Sequence, residues 1–345
     1  MENLPTGCKA LDALTDGGLP TGTISQVFGE KALGKSILCF QSACATVAAG
    51  RSAVVIDTEQ SYFSYLVKYR LSGMNKRFDT EIPVKEVKLE KVPRASGRKK
   101  GANRSELVTL LSDTLTRAGI AYSENHLSSV ADILCPEFDI QIEAPEKPSV
   151  LIVQMPDIIE LLKLHGVDAE IFVSEKSKNA RVELHLKSTP VYESALFRMM
   201  EETKAKLLVY DSLSAPLKAT FPNTQDLPAR SSSMAMLLSH AQRLCIQFGI
   251  AVLTTSHVTI SPIEEWDRRP YGGIILGHDA KFSFELTKGT AGRNTKGTTT
   301  LINPEDKPED ERKAAEGRLV WVQRHPAMAD YSKYGYSALD EEGFH

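Results

Sequence analysis

Short β-forming runs alternate along the chain with stretches in which apolar residues recur at helical spacing. Thr23 to Phe28 (TISQVF) is rich in strand formers and stops at Gly29, and the pattern from Lys35 to Ala49 is helical. Ala53 to Ile56 is a continuous apolar run, the mark of a strand buried on both faces. Asp57 and Glu59 then fall at its C-terminal end. Leu207 to Tyr210 and Ile250 to Leu253 repeat the signal. Between them, Asp226 is placed to cap a helix that carries Leu237, Ala241, Leu244, Cys245 and Phe248 at helical spacing. Alternation of this kind predicts an α/β fold: a mainly parallel sheet flanked by helices, with ligands taken at the carboxyl ends of the strands.

Two regions depart from that rhythm. KFSFEL (Lys281 to Leu286), GTTTLI (Gly297 to Ile302) and RLVWVQ (Arg318 to Gln323) are short β-like runs between glycine-rich or charged loops, which predicts an antiparallel extension of the sheet. From about Gly73 onward a different unit is expected. Lys91 to Arg104 holds six basic residues (Lys91, Arg94, Arg98, Lys99, Lys100 and Arg104) and no acidic one, and reads as a loop. A helix follows from Ser105 to Ala118, ended by Gly119. DIQIEA, SVLIVQ, a helix over Asp157 to Leu164, IFVSE and RVELHL complete a small α+β unit. The expected organisation is a core of residues 1–72 and 182–345 with an inserted α+β module over 73–181.

Composition narrows the class. At 345 residues, 42% hydrophobic and 25% charged, the chain reads as an ordinary globular protein with a sizeable core. No apolar run approaches the roughly 18 residues of a membrane span, and the first residues lack a signal-peptide pattern, so a cytoplasmic protein without membrane partners is expected. The five cysteines (Cys8, Cys39, Cys44, Cys135, Cys245) are odd in number, scattered and form no CxxC pair, which argues against a disulfide framework or a zinc site. Net charge is −3, from 41 basic and 44 acidic residues, which excludes a uniformly positive nucleic-acid coat but leaves local basic patches open.

The strongest chemical signal is Gly29-Glu30-Lys31-Ala32-Leu33-Gly34-Lys35-Ser36, a full match to G-x-x-x-x-G-K-[ST] between a predicted strand and a predicted helix. Backbone N–H groups of such a loop and the helix N-terminus favour bound phosphate. Lys35 is expected at the β- and γ-phosphates of ATP and Ser36 at Mg2+. Asp211, directly after LLVY, is the natural carboxylate to hold the magnesium through water at the edge of a neighbouring strand. Glu59 is placed to polarise the attacking water. Thr255, Ser256 and His257 follow the IAVL strand, where a hydrogen-bonding side chain can sense the γ-phosphate. The Lys91 to Arg104 loop, with Arg98, Lys99 and Lys100, could neutralise nucleic-acid phosphates, although no aromatic residue interleaves to stack on bases. Arg268 and Arg269 offer a second basic candidate, tempered by Glu264, Glu265 and Asp267.

LPTGCKALDALTDGGLPTGTISQVFGE, the GKS loop, VVIDTE, LLVYDSLSAPL, IAVLTTSHV and YGGIILGHDAKFSFELTKG together resemble the archaeal RadA/RadB branch of the RecA recombinase superfamily, over about two thirds of the chain and in the family's order. The resemblance implies a RecA-like core in which Gly29 to Ser36 is the Walker A loop, Glu59 the catalytic base, Asp211 the Walker B carboxylate and Ser212 an aid at the metal. It also implies DNA-binding loops at about Leu217 to Pro228 and Thr259 to Tyr271, with Arg230 following the first. Nucleotide between adjacent protomers is implied as well, with Arg324 to Asp330 (RHPAMAD) capping a neighbour's ATP. Three features depart from the full-length recombinase pattern. The helix-hairpin-helix domain and polymerising linker have no counterpart ahead of the core, so the likeness is to the short RadB- or RadC-like paralogues. The family's sensor glutamine is His257 here, and no family role attaches to the 73–181 module.

The leading functional expectation is therefore a Mg-dependent, DNA-modulated ATPase assisting recombination or repair, acting on single-stranded or branched DNA or on a recombinase partner. The alternatives are a KaiC-like regulatory ATPase directed at proteins, or a nucleotide-gated binding module with little turnover.

Overall fold

The computed structural model describes residues 2–88, 90–91, 98–99, 102–121, 123, 138–139, 145–174, 181–188, 190–223, 226–260, 268–271, 276, 279–288, 291–293, 299–301 and 317–345. After a short antiparallel pair (Asn3–Leu4 with Leu19–Pro20), the first strand of the main sheet, β1 (Ile24–Gly29), runs into the phosphate-loop sequence and then α1 (Lys35–Ala48). Next come β2 (Ala53–Asp57), a π-helical turn (Tyr62–Val67), α2 (Lys68–Phe78) and β3 (Val84–Glu86). They are followed by β4 (Val150–Gln154), α3 (Ile158–Leu164), β5 (Leu207–Asp211) and α4 (Leu227–Phe248). The chain continues through β6 (Ala251–Ile260), β7 (Phe282–Lys288), β8 (Arg318–Arg324) and β9 (Tyr334–Ser337).

These strands make one sheet in the order β9-β8-β7-β1-β6-β5-β2-β4-β3, and residues 268–270 add a tenth strand beside β6. Pairing is parallel from β7 through β3 and antiparallel at β7–β8 and β8–β9. The strands β1, β2 and β5 are buried along their whole length because both faces are covered. One face packs Ile24, Val54, Ile56, Leu208 and Tyr210 against Leu161, Leu162, Leu237 and Leu244 of the helices α3 and α4. The other packs Val27, Val55, Val209 and Leu253 against Leu38 and Phe40 of α1.

Several expectations change. KFSFEL pairs parallel to β1, so the antiparallel extension begins only with RLVWVQ. Of GTTTLI the described residues, Thr299–Leu301, pair with Ala291–Arg293 in a separate hairpin and not with the sheet. Both β3 and β4 hydrogen-bond into the main sheet, and α3 buries Ile158, Leu161, Leu162 and Leu164 in its core. The stretch 73–181 therefore belongs to the core at β3, β4 and α3, and the boundaries expected at 73 and 181 do not hold. Parallel partners distant in sequence leave no local signature, which is why SVLIVQ reads as part of a separate unit. Among the described residues the strand near Val182 pairs only with Val167–Ser174, forming a hairpin against α3 and α4.

The helix expected over 105–118 is present as Arg104–Arg117. Asp157 caps α3 through the N–H groups of Ile159 and Glu160. Asp226 occupies the N-cap of α4, but its carboxylate accepts from the Asn223 N–H and makes no capping bond. Cys8, Cys39, Cys44 and Cys245 are buried free thiols, and Cys135 lies outside the described residues. No helix among the described residues is long and apolar enough to cross a membrane.

A buried polar chain ties the hairpin to the sheet. His240 Nδ1 donates to the His165 carbonyl (2.8 Å), which leaves Nε2 to accept from Ser188 Oγ (3.0 Å) in the neutral ring. His165 Nε2 lies 3.0 Å from Tyr210 Oη, its ring stacked on the tyrosine. Burial pushes the His165 imidazole down to about 3, with His240 adding to the effect. The unfolded chain protonates this group below its ordinary value of 6.5 and the folded chain does not until about pH 3. Stability is lost progressively as pH falls through that window. Urea denaturation between pH 7 and 4 should therefore show a smaller acid loss in His165→Gln than in the wild type.

Candidate active site

Strand ends at one edge of the sheet bring the predicted groups together. After β1 the chain turns through Ala32 (φ +64°) and Gly34 (φ +97°), both left-handed, before α1 starts at Lys35. The first N–H groups of a helix have no partner within it and, with the dipole, favour an anion. Lys35 is 8% exposed and its Nζ donates to the carbonyls of Gly29 (2.9 Å) and Glu30 (2.7 Å), which holds the ammonium over the loop. Burial lowers its affinity for a proton, while the carboxylates of Asp211 and Glu59 raise it. Arg318 of β8 donates from Nε to the Leu33 carbonyl (3.2 Å), bracing the loop from outside.

Asp211 ends β5 and is buried. Its Oδ1 accepts from Thr255 Oγ1 (2.6 Å), and its Oδ2 is buried without a hydrogen-bonding partner. Burial pushes the carboxyl upward, the hydroxyls of Thr255 and Ser36 draw it back, and the charges of Glu59 and Asp57 add to the rise. A buried carboxylate with one open oxygen beside a Ser36 hydroxyl suits a hard divalent cation, whose charge would offset the desolvation. The residues present fit Mg2+: Ser36 and Asp211 would hold it, with Lys35 facing the phosphates.

Glu59 follows β2 on a turn that Asp57 organises. Asp57 Oδ1 accepts from the N–H groups of Glu59 and Ser61 (3.2 Å each), and Oδ2 from that of Tyr62 (3.0 Å). Asp57 is thus spent on the backbone, leaving Glu59 as the available carboxylate. Glu59 Oε1 accepts from Ser212 Oγ (3.0 Å) and lies 3.5 Å from His257 Nε2. The imidazole holds Glu59 below the usual carboxylate range; burial opposes this, and Ser212 and Lys35 reinforce it. An ionised carboxylate at neutral pH can accept a proton from water. Ser212, expected to assist at the metal, donates to Glu59 and accepts from the Ala215 N–H (3.1 Å).

Thr58 carries a role with no sequence signal. Its hydroxyl donates to the Ser212 carbonyl (2.7 Å) and accepts from the Ser212 N–H (2.8 Å), joining the turns after β2 and β5. Arg230 donates to Tyr271 Oη (2.8 Å) and to the Asn223 carbonyl (2.6 Å), so its guanidinium braces two loop ends. The Tyr271 N–H in turn donates to the His257 carbonyl (2.7 Å). Leu217 is buried within the helix Ser214–Thr220, so the expected first loop begins after it. The second contains an antiparallel pair, Val258–Ile260 with Arg268–Pro270. Arg268 and Arg269 lie on that added strand, Arg98 and Lys99 on a short strand paired with Ala102–Asn103, and Lys100 lies outside the described residues.

A family model described as the ATPase KaiC matches residues 4–185, more than half of the chain, and one described as Rad51 matches residues 158–315. The chain belongs to the RecA-type ATPase family that these models describe. The DNA repair and recombination protein RadB of Thermoplasma volcanium is 44% identical over 59 residues, 17% of this chain and 25% of its own length. RadB of Methanoculleus marisnigri is 50% identical over 58 residues, 17% of this chain and 26% of its own. The DNA repair protein rhp51 of Schizosaccharomyces pombe is 35% identical over 95 residues, 26% of each chain. The matched stretches thus span about a quarter of these relatives' own length. A crystal structure of the RadB recombinase aligns over 99% of this chain and 98% of its own, with a TM-score of 0.47 and 16% identity.

Thr58→Val removes both bonds to Ser212 and leaves a buried N–H and C=O without them. The expected loss is roughly 1–3 kcal/mol of unfolding free energy, read as a lower urea midpoint at unchanged slope.

Proposed function

We propose that the chain is an ATP-hydrolysing factor of DNA recombination or repair, acting as a RadB-like paralogue or mediator on single-stranded or branched DNA. The observation that carries this reading is the convergence of the Gly29–Ser36 loop, the open oxygen of Asp211 and the ionised Glu59 at neighbouring strand ends. Identity to RadB proteins supports the biological setting.

In this reading Lys35 and the first-turn N–H groups of α1 bind the β- and γ-phosphates and stabilise charge that develops on them. Mg2+, when bound, supplies Lewis-acid stabilisation to phosphate oxygens, and Ser36 and Asp211 are its protein ligands. Glu59 takes the proton of the attacking water, kept ionised by His257 and positioned by Ser212. His257 sits where the family has a glutamine sensor, and its carbonyl contacts Tyr271, so the same residue touches the base and the second loop. Arg98, Lys99, Lys100, Arg268 and Arg269 are the proposed phosphate contacts on DNA, and Arg230 positions the loops. Self-assembly with ATP at the interface and a recombinase partner belong to the same proposal, as do cytoplasmic location and a partner-binding role for residues between β3 and β4.

Steady-state hydrolysis of Mg-ATP with and without single-stranded DNA tests the reading. The expected result is DNA-stimulated turnover that Lys35→Ala abolishes, a barrier increase of about 3 kcal/mol or more. Turnover indifferent to DNA would favour the KaiC-like, protein-directed reading, to which the match over residues 4–185 lends weight. Replacing Arg98, Lys99 and Lys100 by serine should reduce the slope of log affinity against log salt by about 0.7 for each single-strand phosphate left without its basic partner. An unchanged slope assigns those residues to solvent.

A further inference from the structure

Residues 339–344 have no part in the site as described, yet they reach it. Leu339–Asp340 and Gly343–Phe344 pair antiparallel, and the segment packs on both α1 and α2. Phe344 is fully buried, and the amide of Gln41, itself fully buried on α1, reads its backbone in both directions. The Phe344 N–H donates to Gln41 Oε1 (2.6 Å), and Gln41 Nε2 donates to the Phe344 carbonyl (2.9 Å).

On α2, Gly73 lies so close that an added Cβ would fall 2.5 Å from the Glu341 carbonyl oxygen. Arg70 donates to the Asp340 carbonyl, Lys76 pairs with Glu342, and Arg77 Nη2 reaches the Gly7 carbonyl (2.6 Å) alongside. The hairpin is therefore anchored to two helices. One carries the phosphate loop, and the other follows the turn that carries Glu59.

Its apolar side chains meet the loop at one residue. A Cβ built on Gly34 would lie 2.9 Å from Phe344 Cζ and 3.0 Å from Leu339 Cδ2. Gly34 is the N-cap of α1, held at φ +97°, and the direction of the first-turn N–H groups follows from its conformation. Arg318 restrains the preceding Leu33 carbonyl, so the loop-helix junction is backed by three side chains.

We propose that Phe344 and Leu339 are positioning residues of the nucleotide site, which hold Gly34 and so aim the first turn of α1 at the phosphates without touching nucleotide themselves. This rests on Gly29–Ser36 being the ATP site. Shortening either side chain lets the junction relax toward the space vacated, and phosphate affinity falls although every group that contacts phosphate is intact. A small displacement of a binding group suffices for a large loss.

The test is Mg-ATP binding to the full chain by titration calorimetry, for the wild type, Lys35→Ala, Phe344→Ala, Phe344→Met and Leu339→Ala, at a temperature where circular dichroism shows each folded. Phe344→Ala should bind about tenfold or more weakly, Leu339→Ala should follow in the same direction, and Phe344→Met should recover most of the affinity. Melting temperatures separate positioning from bulk stability. A purely structural role lowers the melting temperature without ligand and leaves the increment given by saturating ATP unchanged, whereas positioning shrinks that increment. A folded Phe344→Ala with wild-type affinity overturns the proposal; should that variant not fold, wild-type affinity in Leu339→Ala overturns it equally. A wild type that binds no better than Lys35→Ala removes the ATP-site reading, and the proposal with it.

Discussion

Burying a carboxylate at the end of a central parallel strand is unfavourable unless its charge is met, and Asp211 is buried with only one oxygen bonded to the chain. The neighbouring elements are arranged around that open charge. Lys35 projects its ammonium over the adjoining loop, Thr255 fixes one oxygen, and Ser36 stands at the start of α1. Thr58 locks the turn after β2 to the turn after β5, which keeps Glu59 a fixed distance from this group. The site thus places a carboxylate oxygen that the fold itself leaves without a partner, Asp211 Oδ2, beside a loop and helix start suited to an anion.

The surroundings shift the two acidic groups in opposite directions. Burial raises Asp211, whereas His257 and Ser212 hold Glu59 low. His257 is also the point from which structure leads outward. Its carbonyl holds the Tyr271 N–H, Tyr271 accepts from Arg230, and Arg230 fastens the Asn223 carbonyl. An arginine that the sequence offers as a DNA contact is in this way also a strut between the ends of two loops.

What could be read from the sequence follows from how local each signal is. The octapeptide from Gly29 to Ser36, the helix after it and the positions of Glu59 and Asp211 at strand ends all depend on neighbouring residues, and the structure has them as expected. The membership of β3 and β4 in the sheet depends on parallel pairing with distant strands, so SVLIVQ and VKE looked like parts of a separate module. The sequence singles out Glu59 in the string DTE, but that Asp57 organises the turn under it is visible only once the backbone folds back onto Asp57. Tyr271 and Arg230 are far apart in sequence, and Leu339 and Phe344 are isolated apolar residues among charged ones. Their roles exist only once α1, α2 and the loop ends are in place.

At the centre of the proposed function, Glu59 is the proton acceptor of a site whose phosphate-binding groups are independent of it. Parallel measurement of Mg-ATP affinity and phosphate release in Glu59→Gln tests this most directly, because glutamine keeps the shape and the Ser212 contact but cannot take the proton. The expected result is ATP affinity near that of the wild type with hydrolysis lost. Weakened binding with normal turnover per bound ATP would contradict it.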